Sequence, residues 1–394
     1  LANTWNPAAT PGRAGATFPI NYLPHPPEID EPYPEAPSDG YLTASFYSFI
    51  DIPKSELPEM RTKLLKTWKE DFGIVGRIYI WHTGINAQMS IPRDQVKDFR
   101  VSLEEHDVFR GKIPPFNWAV NHGRAFKSLH IRIRPLVAAG EEYDLEVISH
   151  QPTYLTAQEW DRELNEMRSK DKPVTLIDMR NFYEYGTNYA GDSAATSDVG
   201  RFEGAMRLDV DTFREQIKQV ADICKDKDKP VYMYCTGGIR CSVAGAILKS
   251  KGCTNVKTLK GGVIAYGRHV KDGIIEKSRS TYKGLNFTFD KRLGERITDD
   301  TLAKCFHCGG PCDIYTNCSN GSCNLLFIQC PSCAKKYQHT CGNPKCIERV
   351  KADPETIQNL REPPMWNYRQ RVRPYEAFRA AGIALKQQQQ QQQR

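Results

Sequence analysis

A cysteine followed closely by two glycines and an arginine, Cys235-Thr236-Gly237-Gly238-Ile239-Arg240, is the most chemically loaded stretch of the chain. It leaves a short apolar run, Val231 to Tyr234, that reads as a buried strand, and a helix is expected to begin just after Arg240. Glycines let consecutive backbone N–H groups turn inward as an anion cradle, and a helix N-terminus and a guanidinium add positive potential at the same point. Such surroundings favour thiolate over thiol and lower a cysteine pKa to about 3.5–7.5, which makes a nucleophile at neutral pH. Cys235 and Arg240 are therefore the expected catalytic pair, with Thr236, Gly237, Gly238 and Ile239 as the loop that holds them. Cys241 reads either as a resolving thiol for Cys235 or as the first buried residue of the helix, while Cys224 and Cys253 read as core residues.

A second chemistry lies further on. Nine of the 13 cysteines, Cys305, Cys308, Cys312, Cys318, Cys323, Cys330, Cys333, Cys341 and Cys346, crowd into one short segment. Its two CxxC pairs, separated by 21 residues, approach a zinc-ribbon spacing. The odd total does not suit a complete disulfide framework. All nine are candidate metal ligands, enough for two sites; structural zinc is the expectation, with unligated reduced cysteines or disulfides, and an iron–sulfur cluster, as the alternatives. His307 and His339 read as polar surface residues beside them.

The elements that must position these groups follow from periodicity. Tyr41 to Ile50 reads as a strand and Pro53 to Phe72 as an amphipathic helix with Leu57, Met60, Leu64, Leu65 and Trp68 on one side. Ile74 to Trp81 and Ile85 to Ile91 read as a hairpin about Thr83-Gly84, Pro92 as the first residue of a second helix, and Ser128 to Pro135 as a closing strand. That βαββαβ order predicts a ferredoxin-like α+β domain over 41–150. From 155 to 275, buried strands such as Val174 to Asp178 alternate with helical segments (Thr212 to Cys224, Ser242 to Lys251), which predicts an α/β domain with a parallel sheet. Asp178 and Cys235 end two of its strands, where ligands gather in such folds. The cysteine-rich segment spans 286–346.

Residues 1–40 hold nine of the 25 prolines and a local net charge of −4, leaving +11 on the remainder of a +7 chain, and read as a disordered arm. Residues 347–394 read as a basic tail ending in a glutamine run. No run approaches the roughly 20 apolar residues of a membrane helix, and no secretory signal is visible, so a soluble, cytoplasmic protein without a membrane partner is expected. Because the chain begins with Leu, an organellar location stays open.

The loop has the Cys-x-x-Gly-x-Arg form of the rhodanese active site, and LIDMRNFYEY (Leu176 to Tyr185), FEGAMRL (Phe202 to Leu208) and LKGGVIAY (Leu259 to Tyr266) resemble the surrounding rhodanese pattern. Asp178, Arg180 and Glu184 match its signature and read as a supporting ion-pair network. HTGINAQMSIP (His82 to Pro92), CTGGIRC, NFTFDKRLGERI (Asn286 to Ile297) and CNLLFIQCPSCAKKY (Cys323 to Tyr337) occur in the order found in the oxygen-dependent tRNA uridine(34) hydroxylases, which the chain resembles over about 41–346. The resemblance implies an N-terminal ferredoxin-like (acylphosphatase-like) domain, a central rhodanese domain and a cysteine-rich tail. It further implies conversion of the wobble uridine of a tRNA anticodon to 5-hydroxyuridine, with molecular oxygen as co-substrate and Cys235 as the catalytic residue. Thr83 departs from a usual Glu, Ser242 and Val243 from a common Glu and Lys, and Gly200-Arg201 from a Gly-His pair. These departures bear on substrate identity and leave Cys235 and Arg240 in place.

From Val108 to Gly140 there are six Lys or Arg and no acidic residue. Lys127, His130, Arg132 and Arg134 are the RNA-binding candidates, the last three alternating with Ile131 and Ile133 along one strand, with Phe109, Phe116, Trp118 and Phe126 as stacking partners. No flavin, nicotinamide or haem motif is seen. Two readings compete with the hydroxylase: a sulfurtransferase carrying a persulfide on Cys235, and a non-catalytic zinc-bearing RNA-binding scaffold.

Overall fold

The computed structural model describes residues 33–137, 143–171, 174–189, 192–208, 210–352, 364–373 and 377. The expected arm lies outside the described residues as far as position 32, and so does the glutamine run. The chain divides into two compact units. The first runs through Asn117 and includes His122–Val137 and the stretch to Gln151; the second comprises Trp118–Asn121 and the chain from Pro152 onward. No described helix is long and apolar enough to cross a membrane.

In the first unit the elements are β1 (Tyr41–Phe49), α1 (Leu57–Lys66), β2 (Val75–Trp81), β3 (Gly84–Pro92), α2 (Val96–Glu105), β4 (Asn117–Trp118), β5 (Leu129–Ile133) and α3 (Leu145–Ser149), and the strands form a sheet of order β4-β1-β3-β2-β5. Strand alternation buries Leu42, Ala44 and Phe46 of β1 and Ile78 and Ile80 of β2. A π-turn over Thr67–Asp71 extends α1 and brings Trp68 edge-on to Phe99 of α2, with ring centroids 5.1 Å apart. Two expectations need correction. Leu129–Ile133 does not close the βαββαβ motif: it pairs in parallel with β2 at the far edge, and the two-residue β4 takes the closing position beside β1. Pro92 ends β3 and precedes a single 3-10 turn, with ψ of 133° that no helical residue adopts.

The second unit contains a short helix-free entry at β6 (Thr153–Leu155), then α4 (Ala157–Ser169), β7 (Thr175–Asp178), α5 (Phe182–Tyr185), β8 (Gly186–Tyr189), β9 (Asp192–Asp198), β10 (Gly200–Phe202), β11 (Met206–Arg207), α6 (Phe213–Ile223), β12 (Val231–Tyr234), α7 (Ile239–Ser250), β13 (Val256–Leu259) and α8 (Gly262–Lys271). Its sheet, β11-β7-β12-β13-β6, is parallel throughout, as the alternation of buried strands and helices predicts. Capping boxes at Thr156/Glu159 and Thr212/Glu215 start α4 and α6 by satisfying their first N–H groups. Trp160, Phe202, Tyr234, Tyr266 and Tyr282 pack edge to face at the centre, and Tyr234 is the residue before the loop cysteine. The unit continues through β14 (Tyr282–Asn286), β15 (Glu295–Arg296), the hairpin β16 (Tyr315–Asn317) and β17 (Leu326–Ile328), and helices α9 (Pro331–Lys336), α10 (Pro344–Ala352) and α11 (Tyr368–Val372).

Candidate active site and metal centres

Cys235 stands at the carboxyl end of the central strand β12 and is 1 % exposed. Gly238, at φ 97°, caps α7 and donates its backbone N–H to the Cys235 Sγ at 3.1 Å. This conformation starts the helix at Ile239, two residues earlier than expected, so Arg240 and Cys241 lie in its first turn. Burial pushes the Cys235 thiol up. The Cys241 thiol, the Arg240 charge and the backbone N–H groups of Cys241 and Gly238 more than offset that, and leave it lowered from 9.0 to about 6. Cys241 is fully buried; desolvation and the sulfur beside it raise its own pKa, so it stays a thiol.

Arg240 does not reach the sulfur directly. Its guanidinium is bidentate on Glu184, with Nη2 to Oε2 at 2.6 Å, and the Thr236 hydroxyl donates to the same oxygen at 2.8 Å. Glu184 also accepts the Asn181 backbone N–H at 2.8 Å and has no exposed surface. Arg240 thus acts on Cys235 as a nearby charge while anchoring the loop. Asp178 and Arg180 form a second buried pair one layer deeper. Asp178 accepts from Arg180 Nη2 at 2.6 Å and from the Tyr234 hydroxyl at 2.7 Å, and Arg180 reaches the Gly200 carbonyl at 2.6 Å. The Asp178–Arg180 pair ties the ends of β7 and β12 to β10.

From the other side, Val263 and Ile264 donate backbone N–H groups to the carbonyls of Cys235 and Thr236 at 3.0 and 3.1 Å. The approach requires Gly262, at φ 64°, whose side chain would meet the Cys235 carbonyl at 2.4 Å. Glu184 and Gly262 complete the site. Their signals in the sequence were an acid in the LIDMRNFYEY signature and a Gly-Gly pair in LKGGVIAY.

The cysteine-rich segment brings eight sulfurs into two groups, Cys305, Cys308, Cys330 and Cys333, and Cys318, Cys323, Cys341 and Cys346; within each, the sulfurs lie within 4.8 Å of one another. Each group could hold a metal ion. The groups interleave: pairs one and three make the first, pairs two and four the second. Backbone N–H groups of Cys330 and Cys341 point at the Cys305 and Cys318 sulfurs at 3.4 Å, and the Trp366 indole donates to Cys323 at 3.0 Å. Donors of this kind suit thiolate ligands. Cys312 is the correction among the nine. It is buried in the apolar cluster with Tyr315 and Ile328, beside Cys305 and Cys333 but a member of neither group. His307 stacks on Tyr337 and, with His339, also stands outside them.

The four RNA candidates belong to the first unit. Lys127, His130, Arg132 and Arg134 are all exposed. Phe109, Phe116, Trp118 and Phe126 are buried, so they are core residues and not stacking surfaces. On the face of β2 that pairs with β5, Arg77 stands beside His130 and Tyr79 beside Arg132, and the Arg134 guanidinium lies 5.4 Å from the Tyr79 ring centroid.

The cradle around the sulfur sets how Cys235 titrates. Its folded pKa is depressed, so the thiolate predominates above about pH 6. Iodoacetamide labelling of Cys235, followed by peptide mass spectrometry, should reach half its maximal rate near pH 6 and level off by neutrality. A midpoint near 9 would contradict the cradle.

Three family models match the chain. They are the UPF0176 acylphosphatase like domain over residues 41–137, the rhodanese-like domain over 161–269 and the rhodanase C-terminal region over 283–347. Among curated relatives, a protein named tRNA uridine(34) hydroxylase from Enterobacter sp. (strain 638) is 38% identical over 310 residues, 78% of this chain and 82% of its own. Proteins of the same name from Erwinia tasmaniensis and Salmonella arizonae are 35% and 37% identical, covering 81% and 83% of this chain and 85% and 87% of theirs. The chain belongs to the tRNA uridine(34) hydroxylase family.

Proposed function

We infer that the chain hydroxylates C5 of the wobble uridine of tRNA, with Cys235 as nucleophile and molecular oxygen as co-substrate. The observation that carries this reading is a thiolate-poised cysteine, held at the end of a central strand, in a chain aligned over most of its length with relatives of that name. Uracil is electron-poor at C6. A thiolate adding there turns C5 into an enolate carbon able to accept oxygen, and its later departure restores the ring. Arg240 and the Gly238 N–H hold the sulfur anionic before addition and after release. The Glu184 carboxylate fixes Arg240 and Thr236 so that the cradle does not reorganise during the reaction. Mass spectrometry of nucleosides from cells carrying wild-type protein or Cys235→Ser should show 5-hydroxyuridine in the first and none above background in the second. Unchanged 5-hydroxyuridine with diminished thiosulfate sulfurtransfer would instead favour a persulfide carrier.

Eight cysteine ligands in two sets of four are the donor chemistry of structural zinc, which supplies folding energy and no reaction step. Metal analysis of protein purified under reducing conditions should find two zinc atoms per chain. Cys318→Ser should lose one and Cys312→Ser neither; iron and sulfide in place of zinc would reject the assignment.

The first unit is the RNA-facing part in this reading, operating in the cytoplasm where its substrate is made. Arg77, Tyr79 and Trp81 of β2 share a face with His130 and Arg132 of β5, with no acidic side chain on either strand. Half-buried aromatics flanked by cations suit unpaired anticodon-loop bases and their phosphates. Binding of an anticodon stem-loop should weaken by about 1–3 kcal/mol in Tyr79→Ala. Arg132→Ala should lower the slope of log affinity against log salt by about 1. Unchanged affinity and slope in both variants, read by fluorescence anisotropy, would move the RNA elsewhere.

A further inference from the structure

Hydroxylation by dioxygen leaves two electrons to be found. Inserting one oxygen atom into a C–H bond takes two electrons from the substrate, and reducing the second atom to water takes two more. Around Cys235 the structure places one group able to give them. Cys241 is buried in the first turn of α7, the helix capped by the Gly238 whose N–H meets the Cys235 sulfur at 3.1 Å, and its thiol and backbone N–H help to hold that sulfur anionic. It is fully buried, so no solvent thiol occupies that position. The other cysteines are engaged elsewhere: the Cys253 thiol lies 3.8 Å from the Cys224 carbonyl, Cys312 is in a separate apolar cluster, and eight form the two metal groups.

We propose that Cys235 and Cys241 together are the reductant of the hydroxylation and close a Cys235–Cys241 disulfide in each turnover. This rests on the hydroxylase reading. Uridine, dioxygen and two thiols give 5-hydroxyuridine, one disulfide and one water. The C5–H bond is replaced by C5–O and the O–O bond breaks. The second oxygen leaves as water with two protons, of which Cys241 gives one and solvent replaces the one that Cys235 has already lost. The S–S bond takes the place of the two electrons transferred. A small dithiol resets the pair by thiol–disulfide exchange. The arrangement is ill suited to a persulfide carrier, because a thiol in contact with Cys235–S–SH would displace sulfide and close the same disulfide.

Trypsin cleaves after Arg240, between the two cysteines, so this disulfide would hold together two peptides that otherwise separate. The full chain is reduced, freed of thiol and mixed in air with a tRNA transcript bearing a wobble uridine, then alkylated and mapped without reduction. One 5-hydroxyuridine per chain is expected, matched by an equal amount of the linked peptides, with further turnover only on adding a dithiol. Cys241→Ser should make about ten-fold less product in thiol-free buffer and regain part of it with excess small thiol. The proposal falls if a full equivalent of product appears while both cysteines remain free to alkylate. It falls equally if the disulfide forms to the same extent without tRNA, or if Cys241→Ser completes a turnover unaided. A wild-type chain that makes no 5-hydroxyuridine even with dithiol refutes the hydroxylase reading itself, and this inference with it.

Discussion

The Glu184–Arg240 pair is the constraint on which the active-site loop depends. Glu184 has no contact with solvent, so its charge is tolerable only while Arg240, Thr236 and the Asn181 N–H surround it. Removing one partner of such a pair costs about 3–5 kcal/mol, because the other charge is left buried and unpaired. The cost works as a lock. The loop between β12 and α7 is held in the arrangement that satisfies the carboxylate, and in it the Gly238 N–H meets the Cys235 sulfur while Cys241 stands in the first turn of the helix that follows.

That lock is itself braced by the cysteine-rich segment. Tyr183, the neighbour of Glu184, gives its carbonyl to the Tyr315 hydroxyl at 2.7 Å and its ring to Phe287 at 5.6 Å. Phe287 in turn meets the Tyr315 ring at 5.0 Å. Tyr315 opens the hairpin between the two metal groups. Arg373, beyond them, makes a buried pair with Asp211 at 2.7 Å and lies 3.9 Å from the Phe182 ring centroid. The segment that carries the two candidate metal groups therefore reaches the helix that carries Glu184. The cysteine-rich segment and the helix beside the reactive loop are thus joined by a chain of aromatic contacts.

Much of this was legible in the residues. Period-two alternation marks β1 to β3, and a short apolar run marks β12, because each strand buries a defined set of side chains. The loop was legible because a cysteine, two glycines and an arginine have few other reasons to stand together. The missing parts are those decided at a distance. Nothing local tells Leu129–Ile133 which sheet edge to join, since its alternation fits either. Phe116 and Trp118 resemble stacking residues until the core that takes them is known. The exclusion of Cys312 and the partition of the other eight are equally tertiary facts, for CxxC spacing fixes pairs and not their partners. Arg240 was recognised for its charge and Glu184 as part of a supporting ion-pair network, but that the two pair with each other is a fact of the folded chain.

The interleaving of the two metal groups has one more consequence. Every chain position between Cys323 and Cys330 lies inside both coordination sets at once, so the two halves cannot fold in succession. Neither half holds a complete set, and a break at the β-hairpin would dismantle both. A transcript or protease cut that removes the chain from Cys341 onward would spare the first set and abolish the second. It would also take away Trp366 and Arg373, the contacts that tie the far end of the chain to Cys323 and Asp211. The segment is in effect a two-pin fastener whose first pin can close once the chain has passed Cys333 and whose second needs the chain as far as Cys346.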